Sequence, residues 1–186
     1  MKTRNTKKLK SQEEMLALCS DTRLEILRIV RDGEASIAEM AEQMGRTPHS
    51  LYHHVKKLLD TEILVTSGTR MKGKRVETLY RPSADHFHLA YNRKSEKSRR
   101  ALLKLVRTLC RTSLGDFEKS MLQGLVIKDG PQKNTVIRRS FVRLSPGQAA
   151  ESLRLLDELE RIFDSAHQNK TGQPFSLTTL FFPQIR

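Results

Sequence analysis

Two helices separated by a tight glycine turn, at residues 36–60, constrain this chain more than any other feature. Ser36-Ile37-Ala38-Glu39 is a capping box, a serine with a glutamate three residues on, which opens a helix by satisfying backbone N–H groups at its start. Ile37, Met40, Ala41 and Met44 then recur on one face, and Gly45 ends the run. Thr47 stands as N-cap before Pro48 at a first-turn position, and the helix opened there runs to about Asp60. It buries Leu51, Val55, Leu58 and Leu59 and leaves a polar face of His49, Ser50, Tyr52, His53, Lys56 and Lys57. A small residue, Ala41, sits where the two helices must approach closely, and the pair forms a helix-turn-helix.

Elements on either side extend the pattern. A basic stretch, residues 1–11, precedes the capping box Ser11-Gln12-Glu13-Glu14 and is expected to be a flexible tail. Asp21 is an N-cap for a helix over 22–31 that ends at Gly33. Ile63-Leu64-Val65 and residues 75–80 have strand character, joined by a flexible basic tip, 66–74, with Pro82 closing the hairpin. The basic cluster of Arg70, Lys72, Lys74 and Arg75 is self-repelling and becomes favourable beside phosphates or a narrow minor groove. Residues 12–83 are therefore expected to form one DNA-binding domain, its second helix entering a major groove about 12 Å wide.

Charge supports a polyanionic partner. The chain of 186 residues holds 34 Lys and Arg against 21 Asp and Glu, a net +13. The excess is uneven: 16 basic against 11 acidic residues in 1–84, 13 against 5 in 85–140, and 5 against 5 in 141–186. No run approaches the roughly 18 apolar residues of a membrane span, and the polar N-terminus lacks a signal-peptide pattern, so a cytoplasmic location and no membrane partner are expected. Cys19 and Cys110 lie in apolar helical patterns and are expected to be buried free thiols.

Three stretches resemble the ArsR-type winged-helix repressors: Asp21-Thr22-Arg23-Leu24-Glu25-Ile26-Leu27, Ser36 to Ala41, and Ser50-Leu51-Tyr52-His53-His54-Val55-Lys56-Lys57-Leu58. The wing from Lys74 to Pro82 is similar to that of larger, non-metal members, and the resemblance covers roughly residues 14–83. It implies a homodimer with one subunit per half-site of a palindromic operator, and Thr47, His49, Ser50, Tyr52, His53, Lys56 and Lys57 facing double-stranded DNA. The metal-sensing members carry cysteine pairs or Asp/His sets, whereas no cysteine lies between Cys19 and Cys110. Asp85-His86-Phe87-His88 has no matching ligand set downstream, so neither a metal nor a cofactor is expected.

The expected fold class is α+β, mainly helical, with residues 84–186 completing the chain after the winged helix-turn-helix. A long helix over about 84–123 carries an apolar stripe through Leu102, Leu105, Val106, Leu109 and Phe117, as core or as a dimerisation surface. Its cations between Arg93 and Arg100 form either a solvated face or a further DNA-backbone contact. A small α+β layer follows: strand 135–144, a helix over 146–168 opened by the Ser145–Gln148 capping box, and strand 175–182. It is expected to bury Phe141, Leu153, Leu156, Phe163, Leu177 and Phe181, as an ordinary core or around a small-molecule effector.

The chain is thus expected to be a sequence-specific DNA-binding transcriptional regulator, and the resemblance implies a repressor. An RNA-binding winged helix is the alternative, weakened because aromatics are 5% of residues and Tyr52 alone is placed to stack on a base. No glycine-rich phosphate loop, nucleophile elbow or organised carboxylate pair argues for an enzyme.

Overall fold

The computed structural model describes residues 6–31, 33–166 and 171–184. In chain order the elements are β1 (Thr6–Leu9), α1 (Gln12–Ala17), α2 (Asp21–Val30), β2 (Ala35–Ser36), α3 (Ile37–Gln43), α4 (Pro48–Asp60), β3 (Leu64–Lys72), β4 (Arg75–Pro82), β5 (His86–Leu89), α5 (Glu96–Leu122) and α6 (Pro146–Ser165). The architecture is α+β and mainly helical. Contacts divide the chain into two units, Met1–Leu114 and Gly115–Arg186, with the division falling inside α5.

In the first unit, helices α2, α3 and α4 enclose an apolar core of Ile26, Val30, Met40, Ala41, Leu51, Val55 and Leu58. Leu51, Val55 and Leu58 lie at i, i+4 and i+7, which puts all three on the inward stripe of α4. Ser11–Glu14 and Ser36–Glu39 both close as reciprocal capping boxes. Gly45 turns the chain between α3 and α4 at φ +61°, a left-handed conformation that a Cβ would strain. Asp21 is not the N-cap of α2; Ser20 holds that position without a side-chain bond. The Asp21 carboxylate instead accepts from Arg111 Nε at 3.1 Å and from the Thr112 hydroxyl at 2.8 Å, joining the start of α2 to α5.

The wing is a three-stranded sheet ordered β2-β4-β3. β3 and β4 run antiparallel from Leu64↔Pro82 to Lys72↔Arg75, with a bulge between Thr66 and Gly68. The hairpin is therefore far longer than the sequence suggested, and its flexible tip shrinks to Gly73 and Lys74. Cross-strand hydrogen bonding extends the strand through Thr66–Lys72, where composition alone shows little β character.

Two further expectations change in this unit. Residues 6–9 are not a free tail: β1 pairs in parallel with β5, Thr6↔His86 through Leu9↔Leu89, and Leu9 is fully buried. Lys7 Nζ anchors this strand, donating to the Thr61 carbonyl at 3.3 Å and the Glu62 carbonyl at 2.7 Å. Residues 86–89 consequently form a strand, and the long helix starts at Glu96 rather than near residue 84. Residues 1–5 of the expected tail lie outside the described residues.

Acid stability follows from the capping and interhelical carboxylates. Burial pulls the Glu14 and Asp21 carboxyls up, but hydrogen bonds outweigh it, so both sit below their ordinary values. Donation from the Ser36 backbone and from Arg70 lowers Glu39 likewise. Each folded-state value is depressed, so its stabilisation is present above the unfolded carboxylate range, near pH 4, and is lost as pH falls through the folded value. Urea midpoints between pH 7 and pH 3 should fall on the acid side, and Asp21→Asn should flatten that fall. An unchanged slope in the variant would remove Asp21 from this account.

In the second unit, Gly124 ends α5 at φ +69°. Asn134 then pins a loop: its Nδ2 donates to the Leu125 carbonyl and its Oδ1 accepts from the Ile127 backbone N–H, each at 2.9 Å. α6 begins at the Ser145–Gln148 capping box, and Arg154 bonds Glu151 and Glu158 along its surface. The expected strands 135–144 and 175–182 do not form among the described residues. Phe141 is 63% exposed, Leu153, Leu177 and Phe181 are also exposed, and Leu156 and Phe163 are half-buried. The expected α+β layer is thus replaced by one helix and segments without regular secondary structure. β-branched and aromatic composition signals a surface suited to a sheet, yet a strand forms only where another edge pairs with it.

Candidate nucleic-acid interface

The amphipathic pattern of α4 turns its polar side outward. Thr47, His49, Ser50, Tyr52, His53 and Lys56 are exposed and Lys57 is half-buried. His49, His53 and Lys56 fall at i, i+4 and i+7 on one line, flanked by Tyr52, which is 57% exposed. His49 and Tyr52 meet edge to face with centroids 6.4 Å apart. Two members of this face are partly engaged within the chain. The Ser50 hydroxyl donates to the Thr47 carbonyl at 2.7 Å, which leaves its lone pairs to accept. Lys56 Nζ lies 3.1 Å from Asp60 in an exposed i,i+4 pair.

His53 and His54 divide as the helix period requires, one outward and one half-buried. Burial, then Arg23, His53 and Arg46, disfavour the charged imidazole of His54 and lower its pKa. His54 is therefore a packing residue. Arg46, which sequence reasoning passed over, is exposed in the turn before α4 and donates to the Thr22 hydroxyl at 3.0 Å. Its signal was a lone cation two residues ahead of a helix start.

Pairing register sorts the wing residues. Directly opposed residues of an antiparallel ladder share a face, so Lys72↔Arg75, Arg70↔Glu77 and Gly68↔Leu79 form one side. Met71↔Val76 and Thr69↔Thr78 form the other, where Met71 and Val76 are both exposed. Lys72 and Arg75 are like charges placed opposite each other at the end of a ribbon, an arrangement that destabilises an isolated hairpin. With Lys74 in the turn they make an exposed cationic tip.

Arg70 departs from the expected set of free wing cations. It lies on β3, not at the tip, and its guanidinium is bonded to the Glu39 carboxylate of α3 and lies 3.8 Å from Glu77. Two carboxylates already neutralise it.

The stripe expected on α5 also separates. Ser98, Ala101, Leu105 and Thr108 are buried, and Leu105, 3% exposed, belongs to the core of its own unit. Leu105 is thus a core residue and not part of a free dimerisation face. Leu102, Val106 and Phe117 are half-buried, and Leu109 is exposed. Near the start of α5, Glu96 pairs with Arg99 and Arg100, while Arg93, Lys94 and Lys97 are exposed. Cys19 is buried, but Cys110 is exposed, contrary to its apolar surroundings in sequence; both are free thiols. Among the described residues, no group of three or more His, Cys, Asp and Glu side chains is placed to hold a metal. Among them, too, no helix is long and apolar enough to cross a membrane.

Three packed helices, a glycine turn, an outward-facing fourth-helix surface and a basic hairpin define a winged helix-turn-helix of the DNA-binding regulator class. Residues 18–66 match the family model described as a helix-turn-helix domain. None of the curated proteins compared matches the chain. Among solved structures, reduced HlyU from Vibrio cholerae is 20% identical, with 48% of this chain and 78% of that one covered and a TM-score of 0.32. The homodimeric winged helix-turn-helix DNA-binding domain of Mb0332 from Mycobacterium bovis, described as a possible ArsR-family regulator, is 19% identical over 55% of this chain and 79% of its own, with a TM-score of 0.34. A variant of ZitR from Lactococcus lactis is 14% identical over 77% and 75%, with a TM-score of 0.32. The domain match, together with the geometry above, carries the assignment of the N-terminal unit.

Proposed function

We propose that this chain is a sequence-specific transcriptional repressor that binds a palindromic operator as a homodimer in the cytoplasm. The observation that carries this reading is the opposed pair Lys72 and Arg75 at the wing end, beside an outward α4 face of polar side chains. Phosphates convert the repulsion at the tip into attraction, and released counterions add a salt-dependent term. In this reading His49, Ser50, Tyr52 and His53 meet base edges in the major groove, Thr47, Arg46, Lys56 and Lys57 lie toward the flanking backbone, and Lys72, Lys74 and Arg75 contact phosphate or the minor groove.

One recognition helix reads too few base pairs for useful specificity, which is the physical argument for a dimer. The half-buried and exposed apolar residues of α5, Leu102, Val106, Leu109 and Phe117, are the surface we assign to it. Selection of bound fragments from genomic DNA should return a two-fold symmetric motif. Recovery of structured RNA in preference to duplex DNA would favour the RNA-binding alternative, and a non-palindromic or random pool would overturn the operator reading.

A further inference from the structure

We propose that Arg70 is a positioning residue: its ion pair with Glu39 latches the wing onto the first helix of the helix-turn-helix, and it does not contact DNA. Backbone pairing of β2 with β4 ties the base of the wing to the helices through Ala35↔Tyr80 and Ser36↔Leu79. Arg70↔Glu77 lies two ladder positions farther out than Leu79. Among the described residues, Arg70 is the outermost hairpin side chain bonded to a helix. Beyond it only Met71↔Val76, Lys72↔Arg75 and the turn remain.

Glu39 is fixed before it meets Arg70. One oxygen, Oε2, accepts from the Ser36 backbone N–H at 2.9 Å as the closing bond of the α3 capping box. The other, Oε1, receives the Arg70 guanidinium. A carboxylate immobilised in this way loses little further freedom when it pairs, unlike that of a typical surface ion pair. The Glu39 side chain is also partly covered, 27% exposed, whereas that of Arg70 is 44% exposed. Charge counting points the same way. Arg70 lies between two acids, Glu39 and Glu77, whereas no acidic partner approaches Lys72, Lys74 or Arg75 among the described residues. A phosphate would have to compete with both carboxylates for Arg70.

Two measurements test the latch. In the free protein, hairpin amides should exchange about two- to fivefold faster in Arg70→Ala. Glu39→Gln should do the same, because glutamine preserves the capping box while removing the charge that holds Arg70. The two changes should be non-additive: Arg70→Ala should add nothing in the Glu39→Gln background. Unchanged exchange in both variants, or full additivity, overturns the latch.

The second measurement rests on the DNA-binding reading above and uses the full chain with a selected duplex. Arg70→Ala should weaken binding about two- to fivefold with an unchanged salt slope, whereas Lys72→Ala should lower the slope by about one. A slope reduced by about one in Arg70→Ala shows a phosphate contact and overturns the positioning role. Wild-type protein that binds no duplex while its exchange pattern still reports the latch would sink the DNA reading alone. Thermal melts of each variant establish that the domain remains folded.

Discussion

Leu105→Ala is expected to lower the unfolding free energy of the N-terminal unit by about 2–5 kcal/mol, as truncation of a fully packed leucine does. The residue is 3% exposed and lies in the same cluster as Leu9, Leu18, Cys19 and Leu51. Its neighbour one turn on, Leu109, is 37% exposed, and Leu109→Asp should leave the melting transition nearly unmoved. Under the proposed dimer, that second change acts elsewhere: light scattering at micromolar concentration should show monomers, with weaker operator binding. Chemical denaturation of the two variants separates the roles. Equal destabilisation by both would mean that α5 buries one continuous stripe, and a monomeric wild type would remove the dimer from the proposal.

The second large effect concerns base discrimination. His53→Ala or Ser50→Ala should cost roughly 1–3 kcal/mol on the preferred site and little on random duplex. Both side chains are exposed on α4, and the Ser50 hydroxyl, already donating to Thr47, would act toward a base as an acceptor. Replacing Lys72 and Lys74 together should instead weaken all duplexes alike and reduce the salt slope by about two, one per lost phosphate contact. Fluorescence titrations on specific and random duplexes across a salt series distinguish the two patterns. Equal losses on both duplexes from the α4 changes would show that this face does not read sequence.

The helix-turn-helix was legible in the sequence because its determinants are local. A capping box needs only Ser36 and Glu39, a left-handed turn needs Gly45, and an inward stripe needs Leu51, Val55 and Leu58 at helical spacing. The outward residues of α4 follow from that same spacing, which is why its polar face is legible residue by residue. The wing was legible only in part. Its charges could be counted, yet the ladder decides that Lys72 opposes Arg75 and that Arg70 faces Glu77.

Short-range signals alone set the helix starts, stops, stripes and the polar face between residues 36 and 60. Tertiary structure decided whatever depends on a distant partner. Thr6–Leu9 became a strand because His86–Leu89 lies alongside it, eighty residues away. Leu105 left the apolar stripe for the core because the junction of α1 and α2 meets α5, Cys19 bonding the Ala101 carbonyl and Asp21 bonding Arg111. Arg70 became an anchor because the hairpin brings it to Glu39, 31 residues earlier. Residues 135–144 and 175–182 show the converse: strand-like composition, with no edge to pair against, remained without strand structure. Helix signals close their hydrogen bonds within a few residues of chain, whereas strands and ion pairs are completed by residues that only the fold brings near.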